Sequence, residues 1–349
     1  MPVYYACTDR AVPAGGIKVI YRHVDLLNRN GIEAYVLHER PPFRCTWFPN
    51  ETPIRYWTSE PAAGRAPLGE RVRGRLGLRV EAPPRERLHL TRPPELPLRP
   101  DDVLVLPEGF GPGLAETAPG VLKVIFNQNA YRTFHGWPLD LERERSPYLH
   151  PEVRAVVAIS DDNRRYLELA FPDAHVVRLH YSYDPRAFPY ARDGARRVAY
   201  MPRKNAHDAA QVLLMLRLRG ALDGWSVVAI DGMDEAEVAR VLRESSVFLS
   251  FGHPEGCPLP PAEAMLAGAV VVGYHGMGGR EYLRPEHAYP VDVGDIRAFV
   301  ETAESVLRQD PARLDATAER AAAFVRETYP PEREEAEVVA FWRELLGSD

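Results

Sequence analysis

Cysteine is scarce in this chain of 349 residues: Cys7, Cys45 and Cys257 are the full set. An odd number with no metal-like spacing argues against a disulfide framework and a structural zinc site, and fits a reducing compartment. Lysine is equally rare, with only Lys18, Lys123 and Lys204, so arginine carries nearly all the basic charge. No long basic run offsets the formal net charge of −6, and a nucleic-acid groove is therefore not expected. No segment approaches the ~18 consecutive apolar residues of a membrane span. Met1 to Gly16 lacks the basic and apolar regions of a secretory leader. These absences point to a cytoplasmic protein, with peripheral membrane association and oligomeric state left open.

What is present is an ordinary globular composition, 45% hydrophobic and 26% charged. The length suits two domains, each able to bury its own core. Short apolar runs alternate with helical periodicity. Val3 to Cys7 reads as a strand, Gly15-Gly16 opens a helix carrying Ile17, Ile20, Val24 and Leu27, and Ala34 to Leu37 reads as the next strand. Such βαβ units build parallel sheets. Further strands are expected at Val103–Leu106, Val121–Phe126, Ala155–Ile159 and His175–Leu179. Ser160 is placed to cap the helix that follows. Residues 60–101, rich in Pro and Arg, interrupt the pattern as an irregular insertion.

A second alternation begins at Val198–Met201 and continues through Val227–Ile230, Val247–Ser250 and Ala269–Val272. Pro185 to Arg196 is the linker candidate. The expected division is a Rossmann-like domain over 1–188, a second over 189–330, and a C-terminal helix over 331–349 that packs back on the first domain. Two doubly wound domains leave a cleft at the carboxyl ends of their strands, where ligands bind.

The segment Phe251 to Gly268 carries the most chemistry. It follows a strand and opens a helix whose first turn accommodates Pro260 and Pro261, because a missing N–H costs nothing there. The start of such a helix favours a diphosphate. Glu255 in the loop and Glu263 in the helix can accept hydrogen bonds from sugar or ribose hydroxyls. Taken singly, Glu263 would complement a helix dipole and Glu255 would be a solvated loop carboxylate. Taken together, with seven intervening residues and the surrounding E-G-C-P-L-P-P-A-E-A-M-L-A-G, they resemble the paired-glutamate motif of retaining glycosyltransferase family 4, which has the GT-B fold.

Other segments extend the resemblance. Leu179 to Phe188, Ala158-Ile159-Ser160 and Gly276 to Leu283 are similar to family segments, so the match runs from about Val153 to Leu307 and is thin before it. The resemblance implies that Glu255 contacts the transferred sugar and Glu263 the donor ribose. It implies that backbone amides around Gly256, Cys257 and Leu259 hold sugar and phosphate, although Pro258 removes one amide. His253 would border the pocket. Arg203 and Lys204, at a strand-to-helix turn with Asn205 as the expected cap, can neutralise a leaving diphosphate. Family members usually separate these two cations, whereas here they are adjacent. Gly15 and Gly16 would face the diphosphate from the first domain. Asn127, Gln128, Asn129 and His135 stand where the family places sugar-side contacts. His180 and His275 are expected to be structural, and Asp161-Asp162 to begin a helix.

The implied fold is α/β of the GT-B type, two Rossmann-like domains facing each other across a cleft. The implied reaction is transfer from a nucleotide-diphosphate sugar to a glycan, lipid-linked or small-molecule acceptor, with no metal and no cofactor. A non-catalytic sugar-nucleotide-binding subunit and a GT-B epimerase are the alternatives. Intact Glu255 and Glu263 count against the first, and the helix-opening motif counts against the second.

Overall fold

A computed structural model describes residues 1–58, 96, 98–192 and 195–347. Most of the expected insertion at 60–101, and residues 193–194 of the expected linker, lie outside the described residues.

Two parallel sheets organise the chain. The first has seven strands, β1 Val3–Ala6, β2 Ala34–His38, β3 Ile54–Tyr56, β4 Val103–Pro107, β5 Leu122–Asn127, β6 Val153–Ala158 and β7 Val176–Arg178. Their spatial order is β3-β2-β1-β4-β5-β6-β7. The second has five, β8 Arg197–Tyr200, β9 Ser226–Ala229, β10 Val247–Ser250, β11 Val270–Tyr274 and β12 Tyr289–Val291, ordered β12-β11-β10-β8-β9. Strands buried on both faces need apolar residues at successive positions. Val-Tyr-Tyr-Ala in β1 and Val-Phe-Leu-Ser in β10 are accordingly buried throughout.

Helices α1 Gly15–Arg29 and α2 Asp161–Ala170 belong to the first half, and α3 Ala206–Leu218, α4 Glu235–Arg243, α5 Leu259–Ala267, α6 Ile296–Leu307 and α7 Pro311–Thr328 to the second. The last helix, α8 Pro331–Leu346, lies against α1. There Trp342 Nε1 donates to the Tyr5 hydroxyl at 2.9 Å, and Arg22 pairs with buried Glu334 at 2.8 Å. Burial pushes the Glu334 carboxyl up, but Arg22, His23 and Ser182 outweigh it and hold the carboxyl below its ordinary range.

Ser160 caps α2 as its position predicts, accepting from Asn163 N. Asn205 does not cap α3. It adopts the left-handed conformation at φ 49°, and its Nδ2 donates to the Phe251 carbonyl at 2.7 Å.

Strand order reverses direction between β1 and β4 in the first sheet, and between β8 and β10 in the second. Such switch points open crevices at the carboxyl ends of the strands, because the connections on either side run to opposite faces.

Candidate active site

The second sheet's switch point is lined by the loops after β8 and β10. The β8 loop supplies Arg203 and Lys204, and the β10 loop supplies His253 and Glu255. Backbone bonds fix the base of the β10 loop: Glu255 N donates to Gly276 O at 2.7 Å, and Gly278 N donates to Glu255 O at 3.2 Å. The Asn205 bond to Phe251 ties the two loops together.

Lys204 and Glu255 form an ion pair. Burial lowers the Lys204 pKa and Glu255 opposes that shift, while Arg132 and Arg203 add to it. Two cations and a carboxylate therefore meet where charge is only partly screened, and an incoming anion competes with Glu255 for Lys204. Arg203 reaches across the cleft, donating from Nη1 to Pro13 O at 3.1 Å in the loop before α1. His253 is held below its ordinary pKa by desolvation, with Glu255 opposing and Lys204 adding to the shift.

Helix α5 begins with no side-chain cap and no acidic residue in its first turn, as does α1. The two N-termini face each other, since a Cβ on Gly15 would lie 2.7 Å from Leu259 Cδ1. Their positive ends converge on one place, which favours an anion. Pro258, Pro260 and Pro261 bring no N–H, so α5 offers few amides and the Gly15-Gly16 end is the richer donor. At its other end α5 stops at Gly268, φ 104°, where a Cβ would come within 2.8 Å of Ala191 O.

Glu263, one turn into α5, is half-buried. Its carboxyl is pushed up to about 7 by desolvation, with Lys18 and Arg22 holding it down and Glu235 raising it further. Lys18 of α1 is ion-paired with Glu235 at the start of α4, across the interdomain gap. Cys257 is buried, its thiol pushed up to about 12 by desolvation, and it packs on the Tyr183 hydroxyl at 3.8 Å. It is an inert packing residue, and any contact with ligand is left to its backbone.

The first-domain candidates separate. Asn127 is an interior residue, donating to Thr133 Oγ1 at 2.7 Å and to the Tyr148 hydroxyl at 2.9 Å. That corrects its grouping with sugar-facing amides: at a strand end, successive side chains point to opposite faces, and this one points into the core. Gln128 Nε2 donates to Gly16 O at 3.2 Å, and its Oε1 accepts from the Tyr181 hydroxyl at 3.0 Å. Asn129 Nδ2 donates to Pro254 O at 3.1 Å, on the second domain. His135 is exposed, its carbonyl lying against Gly111.

Three residues to which the sequence assigned no part in the site also shape it. Glu108, at the end of β4, is buried, and desolvation raises its carboxyl while it accepts from Gln128 N at 3.0 Å. Ser160 Oγ donates to Gly256 O at 2.7 Å. Glu281 accepts from Asp161 N at 2.6 Å and pairs with Arg178 at 2.6 Å, joining the second domain to the start of α2. Glu108 is signalled only by a carboxylate directly after an apolar strand. His275 is structural, accepting from Met277 N at 3.0 Å, and His180 is tied to Glu337 at 2.9 Å. Among the described residues no group of three or more His, Cys, Asp or Glu is arranged to hold a metal, and no helix is long and apolar enough to cross a membrane.

Residues 225–323 match the family model described as glycosyl transferases group 1. No curated protein matches the chain significantly. Among solved structures, sucrose-phosphate synthase from Thermosynechococcus elongatus is similar with a TM-score of 0.69 at 12% identity, over 100% of both chains. Anabaena HepE, in complex with UDP and glucose, has a TM-score of 0.63 at 13% identity over 100% of both chains. The pneumococcal O-GlcNAc transferase GtfA, in complex with UDP and GlcNAc, has a TM-score of 0.64 at 9% identity, covering 99% of this chain and 98% of that one. The fold is GT-B, two Rossmann-like sheets facing each other. The family match spans Glu255 and Glu263 and supports a glycosyltransferase.

Proposed function

We propose that this chain is a retaining glycosyltransferase using a nucleotide-diphosphate sugar. The observation that carries the reading is convergence: Glu255, Lys204 and Arg203 meet at the β8/β10 switch point, and the uncapped starts of α1 and α5 face each other beside it. In this reading the donor lies on the second domain, with its ribose on Glu263 and its diphosphate between Lys204, Arg203 and the Gly15-Gly16 amides. The sugar lies beside Glu255 and His253. The acceptor, a glycan, a lipid-linked sugar or a small molecule, enters from the first domain. The division at residues 1–188, 189–330 and 331–349 is part of the same proposal.

As the bond from the anomeric carbon to the diphosphate oxygen breaks, positive charge grows on the ring and negative charge on the phosphate. Glu255 is placed to stabilise the first, and Lys204 with Arg203 the second. An acceptor hydroxyl attacking from the leaving-group side forms the new bond with retention and passes its proton to the departing phosphate oxygen. Positioning and charge supply the acceleration, and no protein nucleophile or metal is assigned. A cytoplasmic location, with peripheral attachment where the acceptor is lipid-linked, fits this reading.

The test is a panel of nucleoside diphosphates and their sugars, screened by thermal shift because a preferred ligand stabilises the folded state. Transfer to an acceptor screen follows, with the anomer of the product read by NMR. An inverted product removes the retaining mechanism. Donor binding without transfer to any acceptor favours a binding subunit instead.

A further inference from the structure

The carbonyls on either side of Glu255 are both held by the opposite domain. Pro254 O accepts from Asn129 Nδ2 at 3.1 Å, and Gly256 O accepts from Ser160 Oγ at 2.7 Å. Between them the backbones touch, since a Cβ on Gly256 would overlap the Gln128 carbonyl oxygen. The loop's bonds to its own domain are made by Glu255 itself, whose N–H donates to Gly276 O and whose carbonyl accepts from Gly278 N, and by Phe251, whose carbonyl accepts from Asn205. The Glu255 N–H and C=O are thus held within their own domain, and the Pro254 and Gly256 carbonyls add two further restraints on the segment that carries the side chain. Both of these further restraints come from the opposite domain.

We propose that Asn129 and Ser160 are positioning residues that complete, from the opposite domain, the restraint of the segment carrying the Glu255 carboxylate, so that both are needed for its catalytic orientation. The inference rests on the reading of Glu255 as the sugar-side group. Reacting groups tolerate displacements of less than about 1 Å before rates fall steeply, so losing either flanking restraint is enough to be felt in turnover. The turn that presents Asn129 is itself fixed. The buried Glu108 carboxylate accepts Gln128 N, and the Gln128 side chain bridges Gly16 O and the Tyr181 hydroxyl. The donor ribose, assigned to Glu263 further along the chain, makes no use of these two bonds. The two contributions separate: Asn129 and Ser160 set turnover, and Glu263 sets nucleotide affinity.

Asn129→Asp isolates the contact. Asn129 Oδ1 accepts from Tyr131 N at 3.2 Å within its own domain. Aspartate keeps that local acceptor, removes the donor to Pro254 and sets a carboxylate oxygen against its carbonyl, so this contact is broken while the turn is kept. Ser160→Gly is the second variant, because glycine is tolerated at a helix N-cap while the hydroxyl to Gly256 is lost. Each should lower kcat by about tenfold, the scale of one lost hydrogen bond, with affinity for UDP or the preferred nucleoside diphosphate changed by less than about twofold. The melting temperature of Asn129→Asp should fall by only a few degrees, because a single part-buried bond is lost. The double variant should fall by less than the product of the two, because both bonds serve one loop. Wild-type kcat in Asn129→Asp and Ser160→Gly, or kcat and nucleotide affinity falling in parallel, overturns the proposal alone. A wild-type protein that turns over no donor overturns the functional reading and this inference with it.

Discussion

The Lys204 ammonium rests on the Glu255 carboxylate, so the cation assigned to the leaving diphosphate and the carboxylate assigned to the sugar are each other's partners. Burial disfavours the charged lysine and Glu255 restores it. In the proposed reading, a diphosphate entering the cleft would take over Lys204 and free Glu255 to face the sugar, coupling binding and activation through one ion pair.

Replacing Lys204 by methionine keeps the length and removes the charge. A charge-assisted hydrogen bond to phosphate is worth roughly 1.5–3 kcal/mol, so Lys204→Met should lower kcat/KM by about ten- to a hundredfold. Lys204→Arg should recover part of that, because it restores charge with a different shape. Steady-state transfer measures both, and a Lys204→Met enzyme within twofold of wild type would remove Lys204 from the diphosphate site.

Glu255→Gln preserves shape and removes the charge that meets the developing positive ring. Interactions that strengthen in the transition state raise turnover more than ground-state affinity. The expected result is a fall in kcat of about a hundredfold or more, with calorimetric nucleoside-diphosphate affinity nearly unchanged. Transfer at the wild-type rate would make Glu255 a spectator.

The diphosphate charge is assigned to Arg203, Lys204 and two helix starts. Activity should therefore survive incubation with EDTA at wild-type rate. Loss with EDTA and recovery on adding Mg²⁺ or Mn²⁺ would place a metal in the mechanism and weaken the retaining assignment.

The elements that sequence made legible are those with a local physical signature. Uninterrupted apolar runs mark the interior strands, and Pro260-Pro261 mark the start of α5. Strands β3 and β12 passed unnoticed because each is a three-residue edge, one containing Arg55 and the other Pro290, and an edge strand tolerates both. Asn205 looked like a cap because asparagine commonly is one, but its side chain was claimed by a carbonyl 46 positions away. Ser160 and Glu281 act across the domain gap on partners 96 and 120 positions distant, and Glu108 acts within the first domain on a partner 20 positions away; no local pattern encodes such meetings. Of the triplet at the end of β5, residue type suggested one role for all three, whereas the fold sends Asn127 inward, ties Gln128 to Gly16 and Tyr181 within its own domain, and leaves Asn129 to reach the neighbouring domain.

Glu263 gives a prediction that tests the ribose site without any acceptor. Its carboxyl titrates at about 7 in the folded protein, against 4.5 ordinarily, chiefly through desolvation. A carboxyl with a raised folded pKa favours folding while protonated. Its contribution is full below the unfolded value near 4.5 and is lost as pH rises through about 7. The loss has an upper bound of about 3 kcal/mol, taking 1.36 kcal/mol per pKa unit. The ligand-free wild type should therefore lose stability between pH ~5 and ~8 more steeply than Glu263→Gln, which carries no titrating proton there. At pH ~8 the variant should melt at or above the wild-type temperature. Ribose hydroxyls donate to the charged form, so nucleotide binding should reverse this order. Near neutral pH, UDP or the preferred nucleoside diphosphate should bind wild type with release of a proton, and Glu263→Gln about tenfold more weakly without it. Calorimetry in buffers of different ionisation enthalpy counts the proton, and denaturant unfolding across pH gives the slopes. Parallel slopes would show that Glu263 is not buried unfavourably. Equal nucleotide affinity in the two proteins would take the ribose contact away from Glu263.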